Sequence, residues 1–183
     1  MLPIGPLMVE HRLIERMAAM MRRQYDSLTA TSAADPRFVD DAADFIRSYA
    51  DRCHHCKEEG ILFRDLAGRK LAADHKRVMD ELVAEHQFGR RTTARMVRAL
   101  ARYAEGELKA IVEVATCVRT LGEFYPGHIE KEDKHFFMPA MEYSTRAEQD
   151  AMLAEMSEFD RKLIHEHFAE VVSTWESRET AAD

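Results

Sequence analysis

Two segments of the chain repeat one pattern of side chains that is able to bind metal. They begin at His54 and at His128, and both read His, two residues, Lys, Glu, an acid, two residues, an apolar residue and Phe. Residues four apart lie on one face of an α-helix, so His54 pairs with Glu58, and His128 pairs with Glu132. Each pair therefore offers one imidazole and one carboxylate to a common point.

Both pairs lie on helix faces whose other residues are apolar, and such faces are buried. A buried carboxylate without a partner is costly, so it requires protonation, a basic side chain or a metal ion. His11 and His86 lie on similar apolar faces of two further segments. Metal sites in helical bundles are built from side chains on facing helices. The predicted ligands are His11, His54, Glu58, His86, His128 and Glu132.

Six ligands are too many for one tetrahedral zinc ion. If both glutamates bridge two ions, the six side chains fill about eight positions, and a shared oxygen fills about two more. Two octahedral ions need about twelve positions, so about two stay open for a small ligand. Mixed imidazole and carboxylate donors suit iron or manganese, and zinc is compatible with them.

The elements that must position these residues are predicted to be helices. Apolar periodicity and capping signals predict helices over residues 6–27, 36–68, 74–105, 107–137 and 145–176. The second helix opens at Asp35-Pro36 and the fifth at a capping box that begins at Thr145. Pro126 is expected to bend the fourth helix. The prediction is one all-α domain over residues 1–183, an up-down-up-down four-helix bundle (about 6–140) with an additional C-terminal helix (about 145–176).

Composition supports this fold and excludes some functions. The chain has 183 residues, of which 46% are hydrophobic, and only 7 Gly and 5 Pro, which is sparse for a β-rich fold. A net charge of −7 argues against nucleic-acid binding, and no apolar run is long enough to span a membrane. Three cysteines are too few for a disulfide framework, so we expect a cytoplasmic protein. The additional helix is compatible with a homodimer.

The order of these motifs resembles the haemerythrin-like (HHE cation-binding) family over roughly residues 6–140. The similarity is carried by an inward His in the first helix, His-x-x-x-Glu in the second, His in the third and His-x-x-x-Glu in the fourth. The resemblance implies a non-haem centre of two iron ions bridged by an oxo or hydroxo group. It also implies binding of, or reaction with, oxygen, nitric oxide or peroxide, in sensing, storage or stress defence.

One position departs from the oxygen-carrying members of this family. They place a second His one turn after the third-helix His, whereas this chain has Arg90 there. This difference favours sensing, scavenging or redox reactivity over reversible oxygen carriage. Two alternatives are an iron-centre repair or iron-donating protein, and an interaction module with a structural metal ion. No catalytic residue is assigned.

Some assignments stay open between neighbouring residues. His55 and Glu59 form a rival pair, offset by about 100° on an α-helix. The repeat aligns His54 with His128, so His55 and Glu59 are assigned to the surface or to a layer behind the ligands. His75 is an alternative to His86 in the third helix. Arg90 and Tyr125 are further candidates for the layer behind the ligands, and Tyr125 either donates to a bound ligand or simply packs.

Overall fold

The computed structural model describes residues 1–31, 34–161 and 164–180. The described residues form six helices and no strand. Helix α1 is Ile4–Thr31, α2 covers residues 36–67, α3 is Ala73–Ala104, α4 covers residues 111–141, α5 is Arg146–Phe159 and α6 is Ile164–Thr180. A short 3-10 turn, Leu108–Ala110, leads into α4. The prediction of an all-α bundle is confirmed.

Helices α2 and α4 each contain π-helical turns, in which backbone hydrogen bonds span five residues. In α2, α-helical Pro36–Phe45 is followed by π-helical Ile46–His55 and Glu58–Phe63, and then by α-helical Arg64–Ala67. In α4, Ile111–Lys131 is followed by π-helical Glu132–Phe136 and α-helical Phe137–Met141. Each predicted His-x-x-x-Glu pair lies beside or within such a turn. The α-helical periodicity assumed from the sequence is therefore altered at the functional residues.

Local signals define where the helices begin and end. The Asp35 side chain accepts hydrogen bonds from the backbone N–H groups of Arg37 and Phe38, with Pro36 in the first helical turn. Thr145 and Glu148 form the predicted capping box at the start of α5. Gly106 has a φ of +101° directly after α3, a conformation that favours glycine and turns the chain toward α4.

Neighbouring helices run in opposite directions, as contacts at two levels demonstrate. Asp51 of α2 contacts Arg90 of α3, while Phe63, later in α2, contacts His86, one turn earlier in α3. Along α3 and α4, Glu85 contacts His128, and Arg95 contacts Glu113, which lies much earlier in α4. In the same way, α1 contacts α4 through His11 with Asp133 and through Arg22 with Gly122. These pairings give the predicted up-down-up-down topology.

Helices α1 and α4 approach closely at Gly122. A Cβ atom built there would lie 3.1 Å from the backbone oxygen of Ala18. Pro126 has no N–H to donate to the carbonyl of Gly122 one turn earlier, and that carbonyl accepts instead from Arg22 Nη1 at 2.9 Å. The α-helical segment continues through Pro126.

The interior consists of two apolar clusters separated by a polar layer. One cluster includes Ile14 of α1 and Tyr125 of α4, and the other includes Leu7 of α1 and Phe136 of α4. His11 lies between Leu7 and Ile14 along α1, and the predicted ligands of the other helices lie between the clusters in the same way. The two clusters exclude water from the layer that holds the polar residues.

The C-terminal segment differs from the prediction. One helix was expected over residues 145–176, but the segment forms two helices, because α5 ends at Phe159 and Asp160 caps it. The side chain of Asp160 contacts Lys57 of α2 and His165 of α6, and these contacts hold the C-terminal end of α5. Helix α4 also begins later and ends later than predicted, at residue 141. No helix within the described ranges is long and apolar enough to cross a membrane.

Candidate metal centre

The structure brings all six predicted ligands together in the polar layer of the bundle. Five of the six are less than 2% exposed, and His128 is 3% exposed. Donor atoms of His11, His54, Glu58 and Glu132 lie within 4.8 Å of one another. A second group of donor atoms at the same spacing contains His86, His128 and one further residue, which is described below.

The two glutamates connect these two groups. Glu58 presents Oε1 to Nε2 of His54 at 3.4 Å and Oε2 to Nε2 of His86 at 3.3 Å. Glu132 presents Oε2 to Nε2 of His11 at 3.2 Å and Oε1 to Nε2 of His128 at 3.2 Å. Each carboxylate thus directs one oxygen to an imidazole of each group. This is the arrangement that two neighbouring ions joined by carboxylates require.

These contacts are close, but they lack the alignment of hydrogen bonds. The four carboxylate oxygens of Glu58 and Glu132 have no hydrogen-bond partner among the described residues, and neither has Nε2 of His86 or His128. Buried polar atoms are normally paired, so a cluster of unpaired donor atoms in a dry interior is typical of an ion-binding site. The residues present fit a pair of metal ions.

Each of the four predicted imidazoles is held from behind by a carboxylate. In every case Nδ1 lies 2.7 or 2.8 Å from a carboxylate oxygen, to which it donates. The pairs are His11 with Asp133, His54 with Glu10, His86 with Glu59, and His128 with Glu85. Such bonds fix the orientation of the ring and direct Nε2 toward a metal ion.

A cation stands behind each of these carboxylates. The ion pairs are Asp133 with Arg12, Glu10 with Lys57, Glu59 with Arg90, and Glu85 with Lys131. Burial alone would raise the pKa of Glu10, but the hydrogen bonds and charges of His54 and Lys57 outweigh it and lower that pKa. The pKa values of Glu59 and Glu85 are lowered in the same way by their own partners. These three glutamates therefore stay ionised and keep accepting from the imidazoles.

The acidic surroundings also change the imidazoles. Burial lowers the pKa of His11, but the hydrogen bond to Asp133 and the nearby carboxylate of Glu132 outweigh it and raise the pKa to about 10. Burial also lowers the pKa of His86, but the carboxylates of Glu132, Glu58 and Glu59 outweigh it and raise that pKa to about 11. Positive charge on these rings balances the buried glutamates in the metal-free protein. A metal ion would take over that role and displace the protons.

His55 is buried beside the predicted ligands and does not lie on the surface. Its side chain is 2% exposed, and it supplies the remaining member of the second donor group, with His86 and His128. Its ring stacks on that of His86 with centroids 3.9 Å apart. Burial and the neighbouring imidazoles lower its pKa well below the usual value. The assignment of His55 to the surface is wrong because His55 ends a π-helical segment, where the wider turn reduces the angle between consecutive side chains.

The other three residues predicted to lie behind the ligands are close to the centre. Glu59 and Arg90 form one of the pairs described above, and Arg90 also binds Asp51 through Nε at 2.6 Å. Tyr125 is 2% exposed, and its hydroxyl has no hydrogen-bond partner among the described residues. A cavity of about 270 Å³ lies beside the centre and is lined by Ile46, Arg47, Asp51, His55, Arg90, Thr93, Ala94 and Tyr125.

The remaining histidines lie elsewhere. The ring of His75 is hydrogen-bonded to the Tyr143 hydroxyl at 2.7 Å and is not part of the polar layer, so His86 is the third-helix residue at the centre. His135 and His167 are exposed.

A third group of possible metal-donor atoms, apart from the two groups described above, consists of Glu10, Cys53, Asp160 and His165. Lys57 donates to Glu10 and, at 2.6 Å, to Asp160, so a positive charge is already in place there.

Six residues of the pairs behind the four predicted imidazoles were missed in the sequence, namely Glu10, Arg12, Lys57, Glu85, Lys131 and Asp133. The available signal was their position, since each lies within three residues of a predicted ligand. In every case the partner belongs to another helix, which the periodicity of a single helix does not reveal.

Comparison with known proteins agrees with this geometry. The family model described as the hemerythrin HHE cation binding domain matches residues 2–140, which contain all six predicted ligands and His55. Searches of curated proteins and of solved structures gave no significant match. The chain therefore belongs to the hemerythrin HHE cation-binding domain family.

Proposed function

We propose that this protein holds two iron ions in its polar layer and uses them to bind or react with a small ligand such as oxygen, nitric oxide or peroxide. The observation that supports a pair of ions best is the position of the two glutamates. Glu58 and Glu132 each direct one oxygen to the first imidazole group and the other oxygen to the second, so each is able to bridge two ions. A single ion would leave half of these oxygens unpaired.

The predicted ligands divide between two ions. His11 and His54 would hold one ion, His86 and His128 would hold the other, and each glutamate would offer one oxygen to each ion. Imidazole with carboxylate is a donor set that suits iron. When bound, the pair supplies open coordination positions and a change of oxidation state, which are the properties that small oxidants and diatomic gases require.

The surrounding residues prepare the site for this chemistry. The carboxylates on Nδ1 keep the rings oriented, and the apolar clusters on both sides keep bulk water away. The cavity beside His55 and Tyr125 admits molecules much larger than a diatomic gas. The unpartnered hydroxyl of Tyr125 is a potential donor to a ligand that enters this cavity.

The test is iron loading of the full chain under anaerobic conditions, followed by metal analysis and absorption spectra. We expect two irons per chain and, after oxidation, near-ultraviolet absorption that changes on addition of azide or nitric oxide. Glu58→Ala should lose this signal, and His135→Ala, at an exposed position of α4, should keep it.

Other outcomes would contradict the proposal. Iron that chelators strip from a folded bundle and that restores a damaged iron enzyme would indicate an iron-donating protein. A colourless protein that holds zinc and melts on chelation would indicate a structural metal ion.

A further inference from the structure

His55 is a buried imidazole that the six predicted ligands leave without a role. Neither of its ring nitrogens has a hydrogen-bond partner among the described residues, although the ring is 2% exposed. A buried polar group of this kind is costly unless something binds it. A neutral imidazole in a polar layer of other imidazoles is most simply satisfied by a metal ion.

We propose that His55 is a seventh metal ligand, which completes a group of three imidazoles with His86 and His128. This inference rests on the proposed function and specifies the coordination of one of its two ions. Donor atoms of the three residues lie within 4.8 Å of one another. The rings of His55 and His128 are 5.8 Å apart, with planes at 82°.

A carboxylate and a cation also lie behind His55, as at the other four imidazoles, although Nδ1 of His55 makes no hydrogen bond to that carboxylate. Nδ1 of His55 lies 3.5 Å from Asp51, and Asp51 is paired with Arg90. Arg90 also pairs with Glu59, the carboxylate behind His86. Arg90 thus pairs with the carboxylate behind His55 and with the carboxylate behind His86. The other ring nitrogen of His55, Nε2, is available to bind an ion.

The additional ligand changes the number of open positions. Five imidazoles, two bridging glutamates and a shared oxygen fill about eleven of about twelve positions of two octahedral ions. The ion with three imidazoles is then complete, and the one open position belongs to the ion held by His11 and His54. His55 also lines the cavity, so replacing it with a small residue would connect the cavity to the centre.

The first experiment is a titration of the full chain with Co²⁺ under anaerobic conditions, followed by calorimetry and visible absorption. The wild type and His135→Ala should bind two ions per chain. His55→Ala should bind one of the two at least tenfold more weakly. Imidazole added to the solution should restore both affinity and spectrum, since it fits the space that the substitution opens. Unchanged affinity and spectrum in His55→Ala would overturn the inference.

The second experiment needs no variant and therefore does not depend on how His55→Ala folds. The wild type, labelled with ¹⁵N-histidine, is loaded with Zn²⁺, and the ring nitrogens bound to metal are counted by NMR. Five metal-bound imidazoles are expected, and four would overturn the inference. A protein that binds two ions through five imidazoles but never binds azide or nitric oxide would contradict the proposed function and leave the role of His55 intact.

Discussion

The carboxylate behind His54 provides a sharp test of the site. Glu10 is 2% exposed, accepts from Nδ1 of His54 at 2.7 Å and is paired with Lys57, which is fully buried. Glu10→Gln removes the charge that both partners use. We expect metal affinity to fall about 10- to 100-fold, the usual effect of losing such a partner.

The same substitution should also destabilise the metal-free protein. It opens a buried ion pair at Lys57, which costs about 3–5 kcal/mol when the other charge is left alone. Because Asp160 still contacts Lys57 at 2.6 Å, we expect the lower end of that range, about 3 kcal/mol. Denaturant unfolding of the metal-free protein measures this loss.

Glu59→Gln is the matched control. Glu59 also accepts from Nδ1 of a predicted ligand at 2.7 Å, but its side chain is 29% exposed, and its cation Arg90 keeps Asp51 as a partner. This variant should therefore lose metal affinity to a similar degree with a stability change of about 1 kcal/mol or less.

A double variant separates the two effects of Glu10→Gln. Adding Lys57→Met removes the unpaired charge and should recover most of the stability while metal affinity stays low. Wild-type metal affinity in both Glu10→Gln and Glu59→Gln would refute the idea that these carboxylates orient metal ligands.

Three further predictions concern the ligands and the helix packing. Glu132→Ala should abolish binding of both ions in metal analysis, because its two oxygens serve both groups; retention of one tight ion would contradict this. Metal uptake at pH 7 should release protons, since the pKa values of His11 (about 10) and His86 (about 11) keep both rings protonated in the metal-free protein. Affinity should therefore fall as pH falls, and calorimetry in buffers of different ionisation enthalpy counts the protons. Gly122→Ala should lower the free energy of unfolding by about 1–3 kcal/mol, because the added methyl group would overpack against α1. Gly127→Ala should raise it by about 0.5–1 kcal/mol, because a Cβ there meets no atom of the described residues. Thermal unfolding compares the two variants.

The bundle and six of its central residues were predictable because they depend on local pattern. A His-x-x-x-Glu pair on an apolar helix face is predicted to point into the bundle. The repeat of that pair predicts that the pairs of α2 and α4 lie at the same level of the bundle. His11 and His86 were predictable for the same reason, since each interrupts an apolar stripe of its own helix. None of these inferences requires knowledge of a neighbouring helix.

The position of His55 could not be predicted in this way. It depends on π-helical turns in α2, which alter the angle between consecutive residues. Helix propensity does not reveal such turns, which are rare insertions in α-helices and are frequent at functional sites. The break at Asp160 was missed for a related reason, since that residue is held by side chains of α2 and α6 and not by its own sequence context.

The contacts of Asp160 also connect the C-terminal segment to the metal centre. The family match ends at residue 140, but Asp160 lies beyond it and contacts Lys57, whose other partner is Glu10. His165 lies 3.1 Å from Asp160, and the hydrogen bond to Asp160 contributes most to raising its pKa to about 9. Residues outside the matched region thus hold the cation that keeps Glu10 ionised behind His54. The C-terminal helices therefore contribute to the environment of one predicted ligand, in addition to covering the bundle.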